Sequence, residues 1–146
     1  MLKPTLLTVD DDPEVLRSIE RDLKRHYGAD YRILRAESGA AALALLRKVK
    51  QRNNAVALLL VDQRMPQMDG VAFLTEALKL FPDSKRVLLT AYADTDAAIA
   101  AINSAHIHQY LLNPGIRPKI NCIRYLMTSS KIGWQATNHP MREFAF

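Results

Sequence analysis

The chain reads as an α/β domain built on a parallel sheet with helices on both faces, and three observations predict this. Apolar strand-like runs alternate with helix-period segments five times across residues 5–112. The run Val56–Asp62 is apolar almost throughout, as suits a central parallel strand covered on both faces. Three of the runs also stop at chemically capable groups: Leu6-Leu7-Thr8-Val9 at Asp10-Asp11, Leu58-Leu59-Leu60-Val61 at Asp62, and Val87-Leu88-Leu89 at Thr90-Ala91. Open α/β sheets bind ligands outside the carboxyl ends of their strands, so these groups should converge on one edge.

Each element has its own local reason. Residues 5–10 read as the first strand, and Asp12-Pro13-Glu14 as a helix start with a capping acid and a proline in the first turn. Val15, Leu16, Ile19 and Leu23 then form an apolar stripe at helical spacing. Tyr31 to Ala36 is a second strand, and Ser38 caps a helix from Gly39 to about Lys50. Val56 to Asp62 is the third strand; Gly70 opens a helix to about Leu80 that Pro82 ends. Arg86 to Ala91, Asp94 to Ser104 and Ile107 to Leu112 supply the fourth strand, the fourth helix and the fifth strand. The connections are short, as in compact βα units.

Composition narrows the function classes. A length of 146 residues fits one domain with a sizeable core. No apolar run reaches the roughly 18 residues that span a bilayer. The start, with Lys3, Pro4 and Asp10, lacks a signal peptide's apolar stretch, so no membrane partner and a cytoplasmic address are expected. Cys122 stands alone, which excludes an internal disulfide. The net charge of +5 is uneven: residues 1–112 hold 15 Lys/Arg against 14 Asp/Glu, and residues 113–146 hold 5 against 1. Without a basic stripe, direct nucleic acid binding is not expected.

Asp10, Asp11 and Asp62 bring three carboxylates to one pocket, where repulsion calls for a cation; hard oxygen ligands suit Mg²⁺ with waters completing its shell. A carboxylate beside such a metal can attack a phosphoryl group. Thr90 can hydrogen-bond a phosphoryl oxygen, and Ala91 leaves room for a donor. Other tempting residues have plainer readings: His106 and His108 face solvent, Asp12 caps a helix, and Met65 and Met68 pack a loop.

This combination resembles the receiver domain of two-component response regulators. Asp10-Asp11 matches the family's acidic pair. Asp62 with Met65-Pro66 and Asp69-Gly70 matches its phosphoacceptor and the loop that follows, and Thr90-Ala91 matches its switch threonine and small neighbour. Tyr110 stands at the switch aromatic, and the likeness covers residues 5–112. The resemblance implies a flavodoxin-like (βα)5 doubly wound sheet with strand order 2-1-3-4-5. It implies that Asp62 accepts a phosphoryl group from a histidine kinase, a phosphotransfer protein or a small phosphodonor. It further implies Mg²⁺ held by Asp11, Asp62 and the Arg64 carbonyl, and through water by Asp10. Such a domain is a switch that assists its own phosphoryl transfer, not a turnover enzyme.

The pattern breaks at residue 113. Family members place a Lys-Pro pair after the fifth strand; here it is Asn113-Pro114, and an ammonium clamp worth about 2–4 kcal/mol should be missing. One reading is therefore a pseudo-receiver, an interaction module with impaired chemistry. Residues 1–112 form the expected core and 113–146 an atypical tail, with room for a fifth helix followed by an end that is either disordered or packed against a partner chain. The tail also has a genetic reading. A family-like Lys-Pro-Trp-Asp-Pro encoded AAA CCC TGG GAT CCG becomes Asn-Pro-Gly-Ile-Arg on deletion of one A, which is the sequence at 113–117. Frameshift and natural divergence both stand as explanations.

Overall fold

The computed structural model describes residues 3–90, 109–112 and 143–144. The expected fourth helix at 94–104, Ala91, His106, His108, Asn113, Cys122 and the remaining tail lie outside the described residues. In chain order the elements are β1 (Thr5–Val9), α1 (Pro13–Tyr27), β2 (Arg32–Ala36), α2 (Gly39–Gln51), β3 (Val56–Asp62), α3 (Gly70–Leu80), β4 (Lys85–Thr90), β5 (Gln109–Leu112) and β6 (Glu143–Phe144). The sheet order is β2-β1-β3-β4-β5-β6, with every pairing parallel. The first five strands follow the order implied by the sequence, and the two-residue β6 adds a strand from the tail that the sequence reading did not contain.

The alternation of side chains along a strand divides the core into two layers. Leu7 and Val9 of β1, Leu59 and Val61 of β3 and Leu88 of β4 pack with Leu43 and Leu46 of α2 and Phe73 and Leu74 of α3. On the other face, Leu6, Leu58, Leu60, Val87 and Leu89 pack with Val15, Ile19 and Leu23 of α1. Phe73 is wholly buried, a placement worth about 1.5–3 kcal/mol against exposure.

The helix starts use the signals present in the sequence. Asp12 accepts from the Glu14 and Val15 amides ahead of Pro13, and Lys24, Arg25 and His26 lie in the last turn, where the helix end is negative. Ser38 Oγ accepts from the Ala41 amide at 3.1 Å at the start of α2. Asp69 Oδ1 accepts from the Ala72 amide at 2.8 Å at the start of α3.

Candidate functional site

Register brings the acids together. Val9 of β1 pairs with Val61 of β3, so Asp10 and Asp62 follow at the same level of adjacent strands. Asp10, Asp11 and Asp62 each offer a carboxylate oxygen, and these oxygens lie within 4.8 Å of one another. Asp62 in turn pairs with Leu89 of β4, which leaves Thr90 one step further along the same edge. The central position of β1 and β3 makes this edge: their apolar residues are locked between the two helix layers, and the acids stand where the two strands leave those layers.

The three acids are not equivalent. Asp10 is 2% exposed, and its Oδ1 accepts from the Asp12 amide at 3.0 Å. Its own amide donates to the Ala36 carbonyl of β2 at 3.2 Å. Asp62 is half-buried and Asp11 exposed. The Asp11 carboxyl is nevertheless held above the usual carboxylate value, first by partial withdrawal from water and next by the charge of Asp10. A cation placed among the three would relieve that repulsion, so the donor set fits a hard divalent ion. Asp12 is spent on capping α1, as expected of it.

Beside the cluster lies an open cavity of ≈ 430 Å³ lined by Asp11, Gln63, Arg64, Met65, Pro66 and Asp69. Most of its wall is the 64–69 loop between β3 and α3. Within that loop Gln67 has a φ of 69°, and the Met68 amide donates to the Pro66 carbonyl at 2.8 Å, the three-residue γ-turn with positive φ. Met65 is buried in the core layer under α2 and α3, and Met68 packs against that layer. Both methionines thus hold the loop down, as the sequence reading had it.

Of the remaining expected site residues, Arg64 is exposed on the loop, and Thr90 and Tyr110 are placed by their backbone, in β4 and β5. Asn113 lies outside the described residues. The sequence reading missed Gln63. This residue is 7% exposed, its side chain reaches the start of α3, and an uncharged residue after a conspicuous acid gives no signal that it will be buried.

Comparison with known proteins agrees with this architecture. The sequence profile of the response regulator receiver domain matches residues 6–121. The hydrogenase transcriptional regulatory protein HoxA of Cupriavidus necator is 35% identical over 112 residues, covering 77% of this chain and 21% of that protein. The transcriptional regulatory protein GlrR of Escherichia coli is 34% identical over 109 residues, covering 75% and 22% respectively. The chain spans about a fifth of the length of these curated relatives. Among solved structures, the signal receiver domain of an HD domain-containing protein from Pseudomonas fluorescens superposes with a TM-score of 0.69 at 26% identity, covering 90% of this chain and all of that one. A CheY-like receiver domain from Methanospirillum hungatei gives 0.68 at 25% identity, over 89% and 98%. With its acids gathered at the end of a doubly wound sheet, the chain belongs to the response regulator receiver domain family of two-component signalling.

Proposed function

We propose that the chain is a phosphorylation-dependent switch that accepts a phosphoryl group on Asp62. The observation that carries this reading is the meeting of Asp10, Asp11 and Asp62 at the carboxyl end of β1 and β3. An Oδ of Asp62 attacks the phosphorus of a phosphohistidine on a kinase or phosphotransfer protein, or of a small acyl phosphate. The new O–P bond forms as the donor's P–N or P–O bond breaks, and the leaving group departs with the electron pair; a departing imidazole takes its proton from solvent.

Mg²⁺ would be held by Asp11, Asp62 and the Arg64 carbonyl, and through water by Asp10; when bound, it supplies positive charge that offsets repulsion between carboxylate and phosphate. Asp62 is half-buried, so part of its surface stays within reach of a donor. Thr90, at the end of β4, would hydrogen-bond a phosphoryl oxygen, and Tyr110 of β5 would follow its movement. Control of a longer protein's output fits the short share of its relatives that this chain spans.

Asn113 favours a second reading. A neutral amide donates hydrogen bonds but supplies no net charge, so a pseudo-receiver whose fold mediates binding while its chemistry is weak accounts for that residue. Intact-mass measurement after incubation with acetyl phosphate and Mg²⁺ separates the two. Addition of one phosphoryl group that is lost in Asp62→Ala and without metal is the expected result. Equal labelling of Asp62→Ala would place the acceptor elsewhere, and no labelling of the unaltered chain would favour the pseudo-receiver.

A further inference from the structure

We propose that Gln63 is a positioning residue for this site: its main-chain carbonyl and its side-chain amide together clamp the base of the 64–69 loop and so fix where the Arg64 carbonyl stands relative to the acids. The inference rests on the Mg²⁺ reading above and adds to it a residue that touches no reacting atom.

A helix leaves its first amide N–H groups without acceptors inside the helix, and at α3 two residues take all four. The Gly70 amide donates to the Gln63 carbonyl at 3.1 Å, and the Val71 amide to Gln63 Oε1 at 3.0 Å. The next two donate to Asp69, Ala72 to Oδ1 at 2.8 Å and Phe73 to the carbonyl at 3.0 Å. Asp69 is a cap of the ordinary kind, adjacent to the helix. Gln63 is a cap delivered from the far side of the loop, and it draws the loop's two ends together. Because an amide N–H can only donate, the side-chain atom facing Val71 must be the oxygen, which fixes the orientation of the Gln63 amide.

The same residue is anchored on its other side. Its own amide donates to the Leu89 carbonyl of β4 at 2.8 Å, so Gln63 joins the sheet to the start of α3. Away from this base, the loop is held at Met68. A Cβ built on Gly39 of α2 would stand 2.7 Å from Met68 Sδ, so the thioether packs where Gly39 carries no side chain. Between these two anchors sits the positive-φ turn at Gln67, a conformation that persists only where its surroundings impose it. Arg64 is the first residue beyond the clamped base, and the position of its carbonyl follows from the clamp.

The test uses the full chain at neutral pH. Gln63→Met keeps the length and bulk of the side chain and removes the acceptor, whereas Gln63→Glu restores one at the same place. Mg²⁺ affinity is read by calorimetric titration, and the clamp itself by hydrogen exchange of the Val71 amide. Gln63→Met should bind Mg²⁺ about tenfold more weakly, the low end of what loss of an orienting partner costs a metal site, with faster Val71 exchange. Gln63→Glu should keep Val71 protected and bind Mg²⁺ at least as well as the unaltered chain. Ser84→Ala, which removes a buried hydroxyl bonded to the Phe81 carbonyl at the other end of the sheet, should lower the melting temperature and leave Mg²⁺ affinity unchanged. Should Gln63→Met not fold, Gln63→Asn, one methylene too short to reach Val71, carries the same expectation. Unchanged Mg²⁺ affinity in the acceptor-less variant overturns the clamp and leaves the metal site standing. An equal loss in Ser84→Ala also overturns it, as general destabilisation. Failure of the unaltered chain to bind Mg²⁺ at millimolar concentration overturns both.

Discussion

At the scale of single residues, Asp11 is where the site's electrostatics can be read out without a ligand. Its carboxyl is held above the ordinary value by partial desolvation and by Asp10, so the folded chain holds this proton more tightly than the unfolded chain does. Between the unfolded and folded values the native state binds more protons, and stability therefore falls as pH rises through that window. Above it, the ionised Asp11 is a destabilising group. Asp11→Asn should accordingly raise the melting temperature of the metal-free chain at pH 7, and the gain should shrink as pH is lowered toward 4. Saturating Mg²⁺ should reverse the order, since the unaltered chain alone keeps all three carboxylates. Thermal melts at both pH values, with and without the metal, check this; a gain that persists unchanged at low pH would mean that charge is not its origin.

At the scale of elements, the third helix shows how closely the loop and the strands are fitted. A Cβ on Gly70 would stand 2.7 Å from the Asp62 carbonyl oxygen and 2.6 Å from Leu88 Cδ1. The first of these is backbone and cannot swing aside. Gly70→Ala should therefore destabilise the fold by about 1–3 kcal/mol, measured by urea unfolding, and should weaken Mg²⁺ binding with it because the displaced carbonyl belongs to Asp62. Much of this level was legible in the sequence. Asp12-Pro13 and Ser38 announced α1 and α2, and the unbroken apolar run of β3 announced its central place. The acids at the ends of β1 and β3 were legible for the same reason, since a charge after an apolar run marks where a strand leaves the core. What escaped was uncharged or misleading by type. The Gln63 side chain is buried beside an N–H group eight positions away, that of Val71. Arg86, read only as the start of a strand, is 4% exposed with its guanidinium donating to the carbonyls of Ser84 at 2.8 Å and Pro82 at 3.1 Å. Periodicity records where apolar residues recur and says nothing about a polar group whose partner is supplied by the fold.

At the scale of the whole molecule, the core and the tail make separable predictions. If the site carried by β1 and β3 lacks only a charge, Asn113→Lys should raise the rate of phosphoryl labelling by about tenfold for a regained stabilisation of about 1.4 kcal/mol, read by intact mass against time. Unchanged labelling with normal Mg²⁺ binding would mean that the missing ammonium does not limit the reaction. The deletion reading of the tail makes a genetic prediction: one base inserted at the Asn113 codon should open a frame encoding Lys-Pro-Trp and an acidic helix, and a coding sequence without that frame would remove it. The sheet itself has two unlike borders. On one side β2 is the outer strand among those described, and its exposed Arg32 and Arg35 set like charges against any identical strand that approaches, a barrier to fibrillar stacking. On the other side, the outer rim of the four-residue β5 is met, among the described residues, by the two residues Glu143–Phe144. So short a cover supplies few main-chain bonds, and a longer extended segment from another chain would outbid it. Among the described strands, then, lateral growth is opposed at the β2 border, and another chain pairing at the β5 border would have to displace Glu143–Phe144.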